Sequence, residues 1–288
     1  MHLQASRIVN TAIRSTWRRI GTRGTSLMEL LVSMLLSTVV LTVAVRDFSF
    51  VVHSRADMDL LAETQQAADA SITFLTQELR QAGACLPELG NFISLDGADG
   101  GTRDSITLRI GIADRGTLEC DRTILKKKAA KNQSMMKVES AAGFEIGQWF
   151  YLIKNTGYGN FFKIAGIAGK WITIEGSFNK NFGRGSGVYA FEERTYQIED
   201  LGGVPVLTVA IDGDAPQPLV RDVEELNIQY RMDPCPPCSA IDEPANDTDW
   251  RVVREVELSV VTRSSRPDQE GNYRRIENRA TVKPRNLL

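Results

Sequence analysis

Residues 25–45, TSLMELLVSMLLSTVVLTVAV, contain a single charged side chain, that of Glu29. As a helix, these residues would extend about 31 Å at ~1.5 Å per residue, which is enough to cross the hydrocarbon core of a bilayer. Arginines precede the segment and no basic cluster follows it, which orients the N-terminus toward the cytoplasm and the body outside. These arginines are Arg7, Arg14, Arg18, Arg19 and Arg23. The segment therefore predicts a single transmembrane helix.

A cleaved secretory signal peptide is the alternative interpretation of this segment. Such a signal has a shorter apolar core and ends in a site with small residues at the −3 and −1 positions. The sequence Val43-Ala44-Val45-Arg46 offers no good site of that kind. We therefore favour a membrane span over residues 25–45.

Glu29 is the residue of this span that calls for an explanation. An acid in an apolar span costs on the order of 2–3 kcal/mol on insertion scales, so it is a functional candidate. An interfacial carboxylate near the cytoplasmic face, where hydration is easy, is the other explanation. Position alone does not separate the two.

The composition of the whole chain limits the kinds of function. The 288 residues carry 34 Lys+Arg and 36 Asp+Glu, and the body after residues 1–24 has a net charge of −7. An acidic body argues against a nucleic-acid partner bound through its phosphates. The two histidines, His2 and His53, exclude a Ser-His-Asp triad, a Cys-His dyad and a histidine-ligated zinc from the rest of the chain. We therefore expect no enzymatic activity, no catalytic residues, no cofactor and no bound metal.

The helical pattern continues beyond the apolar run. After Arg46-Asp47, apolar residues recur at helical spacings of seven, four, three, four and three residues. They are Leu61, Ala68, Ile72, Leu75, Leu79 and Ala82. Gly83 followed by Pro87 is a helix-stop signal. The sequence thus predicts an amphipathic extension of the helix over residues 46–83.

Residues 84–288 form the predicted head, in which short runs rich in Val, Ile, Thr and aromatic residues replace the helical period. Turn sequences separate the runs, among them Asp96-Gly97, Asn155-Thr156-Gly157 and Leu201-Gly202-Gly203. The predicted strands are 105–112, 148–154, 161–167, 171–174, 188–198, 206–211, 225–231 and 252–262. Residues 222–226 fit either a short helix or the start of a strand. The predicted fold class is α+β, with a long N-terminal transmembrane and amphipathic helix packed on a mostly antiparallel β head.

The start of the apolar run carries a resemblance to a known family. The sequence Arg23-Gly24-Thr25-Ser26-Leu27-Met28-Glu29-Leu30-Leu31-Val32 resembles the class III signal of type IV pilins and type II secretion pseudopilins. In that family a basic leader ends in glycine, prepilin peptidase cleaves after it, and the new N-terminus is methylated. The resemblance implies that residues 1–24 are a cleaved leader and that Gly24 and Thr25 flank the cut. It also implies N-methylation of Thr25, where the family usually has phenylalanine.

The resemblance gives Glu29 a role in subunit assembly. Cleavage after Gly24 makes Glu29 the fifth residue of the mature chain. In this family a buried carboxylate on one subunit can pair with the N-terminal amine of its neighbour. Two charges that are costly in hydrocarbon then become one neutralised pair on assembly.

Segments of the helix end and head narrow the resemblance to PilW-like minor pilins. They are ELRQAG (78–83), AGFEIGQ (142–148), DVEELNIQY (222–230) and TVKPRN (281–286). The implied function is type IV pilus assembly in a priming or tip complex, with an inner-membrane anchor and a periplasmic head. The implied partners are prepilin peptidase, other minor and major pilins, the inner-membrane assembly platform and membrane lipid. A J-type minor pseudopilin of type II secretion and an uncleaved, anchored periplasmic binding or adhesive module are the alternatives.

Four cysteines, Cys85, Cys120, Cys235 and Cys238, lie on the predicted outer side of the membrane. An even count in an oxidising compartment favours disulfides, with three possible connectivities. We favour Cys85–Cys120 and Cys235–Cys238. A redox role or a zinc site built from the thiols is the alternative, although neither a thioredoxin-like context nor a histidine ligand accompanies them.

Three further features have ordinary structural explanations. The acidic loops 96–104 and 242–249 offer oxygen ligands to calcium, but aspartates in turns usually cap their own backbone. Lys126–Lys128 and Lys131 indicate a solvated loop rather than a docking patch. The tryptophans of the head are interpreted as core aromatics rather than as a stacking platform for sugars or nucleobases. They are Trp149, Trp171 and Trp250.

Overall fold

The computed structural model contains two compact units, Met1–Arg55 and Ala56–Leu288. It describes residues 26–87, 91–113, 119–233, 239–268 and 270–284. The helices in these ranges are α1 Leu27–Gln81 and α2 Asp247–Arg251. The strands are β1 Leu95–Ala98, β2 Ser105–Gly111, β3 Arg122–Ile124, β4 Met135–Lys137, β5 Trp149–Ile153, β6 Gly159–Ala168, β7 Trp171–Ile174, β8 Gly187–Leu201, β9 Val204–Ile211, β10 Gln217–Arg221, β11 Val223–Met232, β12 Val253–Arg263 and β13 Arg275–Val282. The α+β class, with one long N-terminal apolar helix, is therefore confirmed.

The strands form two sheets in which the strand pairs are antiparallel. Ten strands make the larger sheet, and β11, β12 and β13 make the smaller one. Strand β8 organises the larger sheet, because its first residues pair with β3 and β5 and its later residues with β2 and β9. Three buried hydrophobic cores follow from this arrangement, and the smallest contains Leu86, Tyr151, Ile153 and Phe191.

The first core contains the end of α1, strands β1, β2, β8 and β9, and the inner face of the smaller sheet. Leu75 and Leu79 of α1 are buried in this core together with residues of both sheets, such as Tyr196 and Leu258. The second core lies within residues 122–190 and contains phenylalanines that stack edge to face, including Phe162 and Phe178. We call residues 122–188, which include β3 to β7, the small lobe.

Within the second compact unit, the buried face of α1 matches the predicted stripe at Ala68, Leu75 and Leu79 and differs from it at the start. Leu61 is 45% exposed, whereas Leu60 is buried, and two hydroxyl residues, Thr64 and Ser71, lie on the same buried face. Each hydroxyl donates to a carbonyl oxygen four residues earlier in the helix, so neither is left unsatisfied. The Thr262 hydroxyl of β12 donates to the Thr64 carbonyl oxygen at 3.1 Å. Small, internally satisfied side chains thus bring the helix backbone within hydrogen-bonding distance of the sheet.

The helix ends where the sequence predicts a stop. Its last helical residue is Gln81, and Gly83 has a φ of 76°, the left-handed conformation that glycine favours. The Gly83 N–H donates to the Arg109 carbonyl oxygen of β2, and the Gly111 N–H donates back to the Ala84 carbonyl oxygen. A Cβ atom on Gly111 would lie 2.6 Å from that oxygen, so glycine is needed for this close approach.

The eight predicted strands are present, and residues 223–226 are the start of β11, while Asp222 lies in the bend before it. The interpretation of Asp96-Gly97 as a turn is wrong, because both residues lie inside β1. Gly97 is required there because an added Cβ would lie 2.4 Å from the Tyr230 hydroxyl. Strands β1, β3, β4, β10 and β13 were not predicted; they are short or, like β13, carry alternating charges.

Candidate functional site

The described part of the first compact unit, residues 26–55, is helical and exposes mostly apolar side chains. Of the described residues, α1 is the one helix long and apolar enough to cross a membrane by length and composition, a test that a signal sequence also passes. Its large apolar side chains between Leu27 and Val52 are exposed, from 78% at Leu27 to 45% at Val51. Phe48 and Phe50 extend this surface beyond Arg46-Asp47, where the predicted span ends. The segment is therefore suited to contact with lipid or with other helices.

Polar side chains within the apolar segment are satisfied inside the helix. The hydroxyls of Ser33, Ser37, Thr38 and Thr42 each donate to a carbonyl oxygen three or four residues earlier, at 2.7 to 2.9 Å. Such bonds let hydroxyls enter hydrocarbon without an outside partner. These four hydroxyls therefore need no hydrogen-bond partner from lipid or from a neighbouring helix.

Glu29 differs from them because its carboxylate is ionisable and exposed in the first turn of α1. The helix begins where the Ser26 carbonyl oxygen accepts from the N–H groups of Glu29 and Leu30, at 2.8 and 3.2 Å. A negative charge here is favourable because the free N–H groups of a helix start carry partial positive charge. The cleavage residues Gly24 and Thr25, with the leader 1–24, lie outside the described residues.

A disulfide joins Cys85, just after α1, to Cys120, which lies two residues before β3. The two Cα atoms are 5.3 Å apart, and the bond closes a loop over a sequence separation of 35. This pairing is the one favoured from the sequence. Cys235 and Cys238, the other predicted pair, lie outside the described residues. The disulfide links the end of the helix to the entrance of the small lobe.

We expect the Cys85→Ser, Cys120→Ser double variant to lose about 3–4 kcal/mol of unfolding free energy, because loop closure constrains the unfolded chain. Urea unfolding of the full-length protein in detergent, compared with wild type, measures the loss. Reductant should lower the wild-type midpoint and change that of the double variant much less. Equal midpoints for variant and wild type without reductant would contradict this expectation.

A buried polar cluster holds the end of α1 on β8. Glu78 is only 8% exposed, and its Oε2 atom accepts from the Tyr196 hydroxyl at 2.8 Å and from the Arg194 guanidinium. Arg194 also pairs with Glu192. Burial works to lower the pKa of Arg194, but the carboxylates of Glu192 and Glu78 outweigh it, and the pKa is raised. Burial, followed by the bond to Glu78, raises the pKa of the Tyr196 phenol.

The sequence pattern does not mark Glu78 as an individual functional residue. It stands at a position of α1 where the apolar pattern predicts a hydrophobic contact, next to Leu75 and Leu79. The sequence does contain one signal. A carboxylate stands three residues after Leu75 and directly before Leu79, which places it beside the apolar stripe of the helix. Only the β8 register shows that a cation and a phenol meet it.

A second buried network surrounds Tyr151 of β5. The Asn91 Oδ1 atom accepts from the Tyr151 hydroxyl and from the Gly159 N–H, both at 2.7 Å. A Cβ on Gly159 would lie 2.2 Å from the Tyr151 ring, so the ring packs directly on backbone. Burial is the main cause that raises the pKa of Tyr151 to about 12. Burial also raises the pKa of Tyr230.

We expect alkaline unfolding to coincide with ionisation of these buried phenols. A pKa raised in the folded state means that the stabilisation is complete below pH 10 and is lost as the pH rises through about 12, the values for Tyr151. A phenolate absorbance titration followed in parallel with circular dichroism should show Tyr151, Tyr196 and Tyr230 ionising only as the fold is lost. Complete ionisation of all tyrosines near pH 10 with unchanged circular dichroism would contradict this.

The two acidic loops named above as calcium candidates meet in the structure. The Asp99 N–H donates to the Glu243 Oε2 atom at 3.2 Å, and buried Asp104 accepts from the Gly100 and Ile228 N–H groups. Burial, opposed by these bonds, raises the pKa of Asp104. Over the described part of the chain, no group of three or more His, Cys, Asp or Glu side chains is arranged to hold a metal. These carboxylates cap backbone N–H groups.

The three tryptophans of the head differ in how deeply they are buried. Trp250 is a core residue, buried against Tyr230 with ring centroids 4.8 Å apart. Trp171 is 37% exposed on the small lobe, so its interpretation as a core aromatic is wrong. Trp149 is half-buried. The residues after Trp171 in β7, Ile172 and Ile174, fill the core, and the alternation of a strand turns Trp171 outward.

Comparisons with known proteins do not identify a family. No family model and no curated protein matches the chain. Among solved structures, it is similar to the Gp54 tailspike of Acinetobacter baumannii bacteriophage AP22, solved in complex with A. baumannii capsular saccharide, at 19% identity and a TM-score of 0.22. The match covers 29% of this chain and 15% of the tailspike chain. At that TM-score the similarity carries no argument about fold or function.

Proposed function

We propose that this protein is a minor pilin that takes part in type IV pilus assembly after prepilin peptidase removes residues 1–24. The observation that supports the proposal most directly is the start of α1. There one exposed carboxylate, Glu29, precedes an exposed apolar helical surface whose hydroxyls are internally bonded. Together with the class III signal around Gly24, this is the arrangement that a helix needs in order to pack among sister helices.

The proposed mechanism of assembly is charge pairing in a low-dielectric setting. Cleavage between Gly24 and Thr25 would create an amine four residues before Glu29. A neighbour's Glu29-type carboxylate would neutralise that amine, while leucine and valine side chains supply the packing surface. Because an unpaired charge in hydrocarbon is costly, a subunit in the wrong register would be disfavoured.

The proposed partners are prepilin peptidase, other minor and major pilins, the inner-membrane assembly platform and membrane lipid. The proposed location is the inner membrane, with the N-terminus cytoplasmic and the head periplasmic, followed by the pilus. Cys85–Cys120 fits an oxidising compartment, because such bonds persist outside the cytosol. We propose no enzymatic role, since the chain has no histidine after His53 from which a general base or metal site would usually be built.

Deleting the gene and scoring both surface pili and secreted enzymes tests which machine the protein serves. Loss of piliation with normal secretion is the expected result, and it should be restored by the wild-type gene. Retained piliation with lost secretion would overturn the pilus assignment in favour of a J-type pseudopilin. If both functions are retained, the assembly role fails and an anchored binding or adhesive module becomes the better description.

A further inference from the structure

Charge is strongly segregated within the folded body of the protein. The small lobe, residues 122–188, carries nine lysines and two arginines against three glutamates, a net charge of +8. Outside this lobe and residues 1–24, the chain carries 18 basic and 33 acidic residues, a net charge of −15. The net charge of the body hides this division. Charges are largely screened beyond about 8 Å at physiological ionic strength, so a ligand on the lobe responds mainly to the lobe.

The cations of the small lobe are mostly not used in ion pairs. Of the twelve ion pairs between described residues, one lies in the lobe, that of Lys126 with Glu139. Lys127, Lys128 and Lys131 are exposed on the loop between β3 and β4. Elsewhere in the described chain, arginines pair with carboxylates repeatedly. The lobe therefore keeps its cations available to an outside anion.

Part of this charge borders a groove of about 480 Å³. Three lysines, Lys127, Lys128 and Lys137, line it together with Trp171, and no acidic side chain is among its lining residues. The Lys137 Nζ atom lies 5.6 Å from the centroid of the Trp171 ring. The remaining lining is mostly amide and hydroxyl, from Asn132, Gln133 and Ser134. The groove thus combines cations, an exposed indole and groups that both donate and accept hydrogen bonds.

We propose that this groove binds an acidic polysaccharide, which would replace the interpretation of Lys126–Lys128 and Lys131 as a solvated loop without a docking role. The lysines would pair with carboxylate or sulfate groups along the polymer, as basic patches do with polyanions. Amide and hydroxyl groups would serve the sugar hydroxyls, which need both donors and acceptors. The exposed indole of Trp171 would cover the apolar face of one sugar ring. This binding does not rest on the proposed assembly function, because the groove lies wholly in the head.

A single-stranded nucleic acid fits these observations less well. Proteins that hold single strands stack successive bases on several aromatic side chains along a basic groove. Trp171 is the one aromatic residue among those that line this groove. The lobe also carries nine lysines to two arginines, whereas arginine is the residue that recognises phosphate through two parallel bonds.

Binding of alginate oligosaccharides to the full-length protein in detergent tests the proposal. We expect binding at about 50 mM salt that weakens as salt rises, and no binding of neutral dextran. The Lys127→Glu, Lys128→Glu variant should bind alginate at least about tenfold more weakly, and Trp171→Ala about fivefold more weakly. Arg221→Glu, Arg266→Glu is the matched control, because it makes the same change of net charge at exposed arginines outside the lobe.

Three results would overturn the proposal. Absence of alginate binding at low salt removes the site, and equal weakening by the control variant shows attraction to net charge rather than to the groove. Tighter binding of an oligothymidylate than of alginate assigns the groove to nucleic acid instead. Circular dichroism confirms that each variant is folded. Processing by prepilin peptidase is scored separately, so failure of the assembly function leaves the alginate result unaffected.

Discussion

We expect the Glu29→Ala variant to be processed normally but to be missing from assembled pili. Glu29 lies in the first turn of α1, where its carboxylate is exposed and the surrounding side chains are apolar. Without the carboxylate, the N-terminal amine of a neighbouring subunit would enter the helical core unpaired. The cost of such a charge in hydrocarbon is several kcal/mol, enough to reduce incorporation by more than tenfold.

The measurement compares the variant in membranes and in sheared pili by immunoblot. Glu29→Gln should fail in the same way, because it keeps the size of the side chain and removes the charge. Ser33→Ala is the matched control, since Ser33 bonds within its own helix and its loss should leave incorporation unchanged. If Glu29→Ala reaches the pili at the wild-type level, charge pairing does not set the register of assembly.

The Arg194→Ala variant should lose about 3 kcal/mol of unfolding free energy, the scale observed when one partner of a buried pair is removed. Glu78 would keep the bond from the Tyr196 hydroxyl but lose its cation while remaining almost fully buried. Denaturant unfolding of the full-length protein in detergent measures the loss. Arg80→Ala, on an exposed position of the same helical turn, should change stability by less than about 0.5 kcal/mol.

A double variant separates the charge pair from simple loss of packing. Glu78→Gln combined with Arg194→Met removes both charges and keeps most of the volume, so it should recover much of the stability that Arg194→Ala loses. If Arg194→Ala unfolds within about 0.5 kcal/mol of wild type, the cluster does not hold α1 on β8. A double variant less stable than the single one would show that Glu78 stabilises the fold independently of Arg194, for example through the Tyr196 hydroxyl.

Local patterns in the sequence were sufficient to predict the helix and eight strands. The apolar run before Arg46, the stop at Gly83 and the alternation in β12 each depend on near neighbours, which a sequence shows directly. Strand β13 was missed because its inner positions include the polar Asn278 and the small Ala280, so the apolar half of the period-two pattern is weak. In the structure its inner face still meets α1, where Asn278 donates to Asp69 at 2.6 Å.

Features that depend on contacts between residues far apart in the chain could not be predicted from the sequence. Thr64 and Ser71 look like polar interruptions of the helix, and for Thr64 the approach of β12 accounts for the burial. Glu78 meets Arg194 across more than a hundred residues, through the register of β8. The positive charge of the small lobe did not show in the net charge of the body, because the more numerous acidic residues elsewhere outweigh it. Its separation follows from β8 pairing with different strands along its length.

The N-terminus of the mature protein tests the central claim most directly. Intact mass and N-terminal sequence should be determined for protein made in hosts with and without prepilin peptidase. The account predicts that the peptidase shortens the chain to begin at Thr25, with an added methyl group, and that the full leader remains in its absence. A chain that keeps residues 1–24 in the presence of an active peptidase would contradict the pilin assignment.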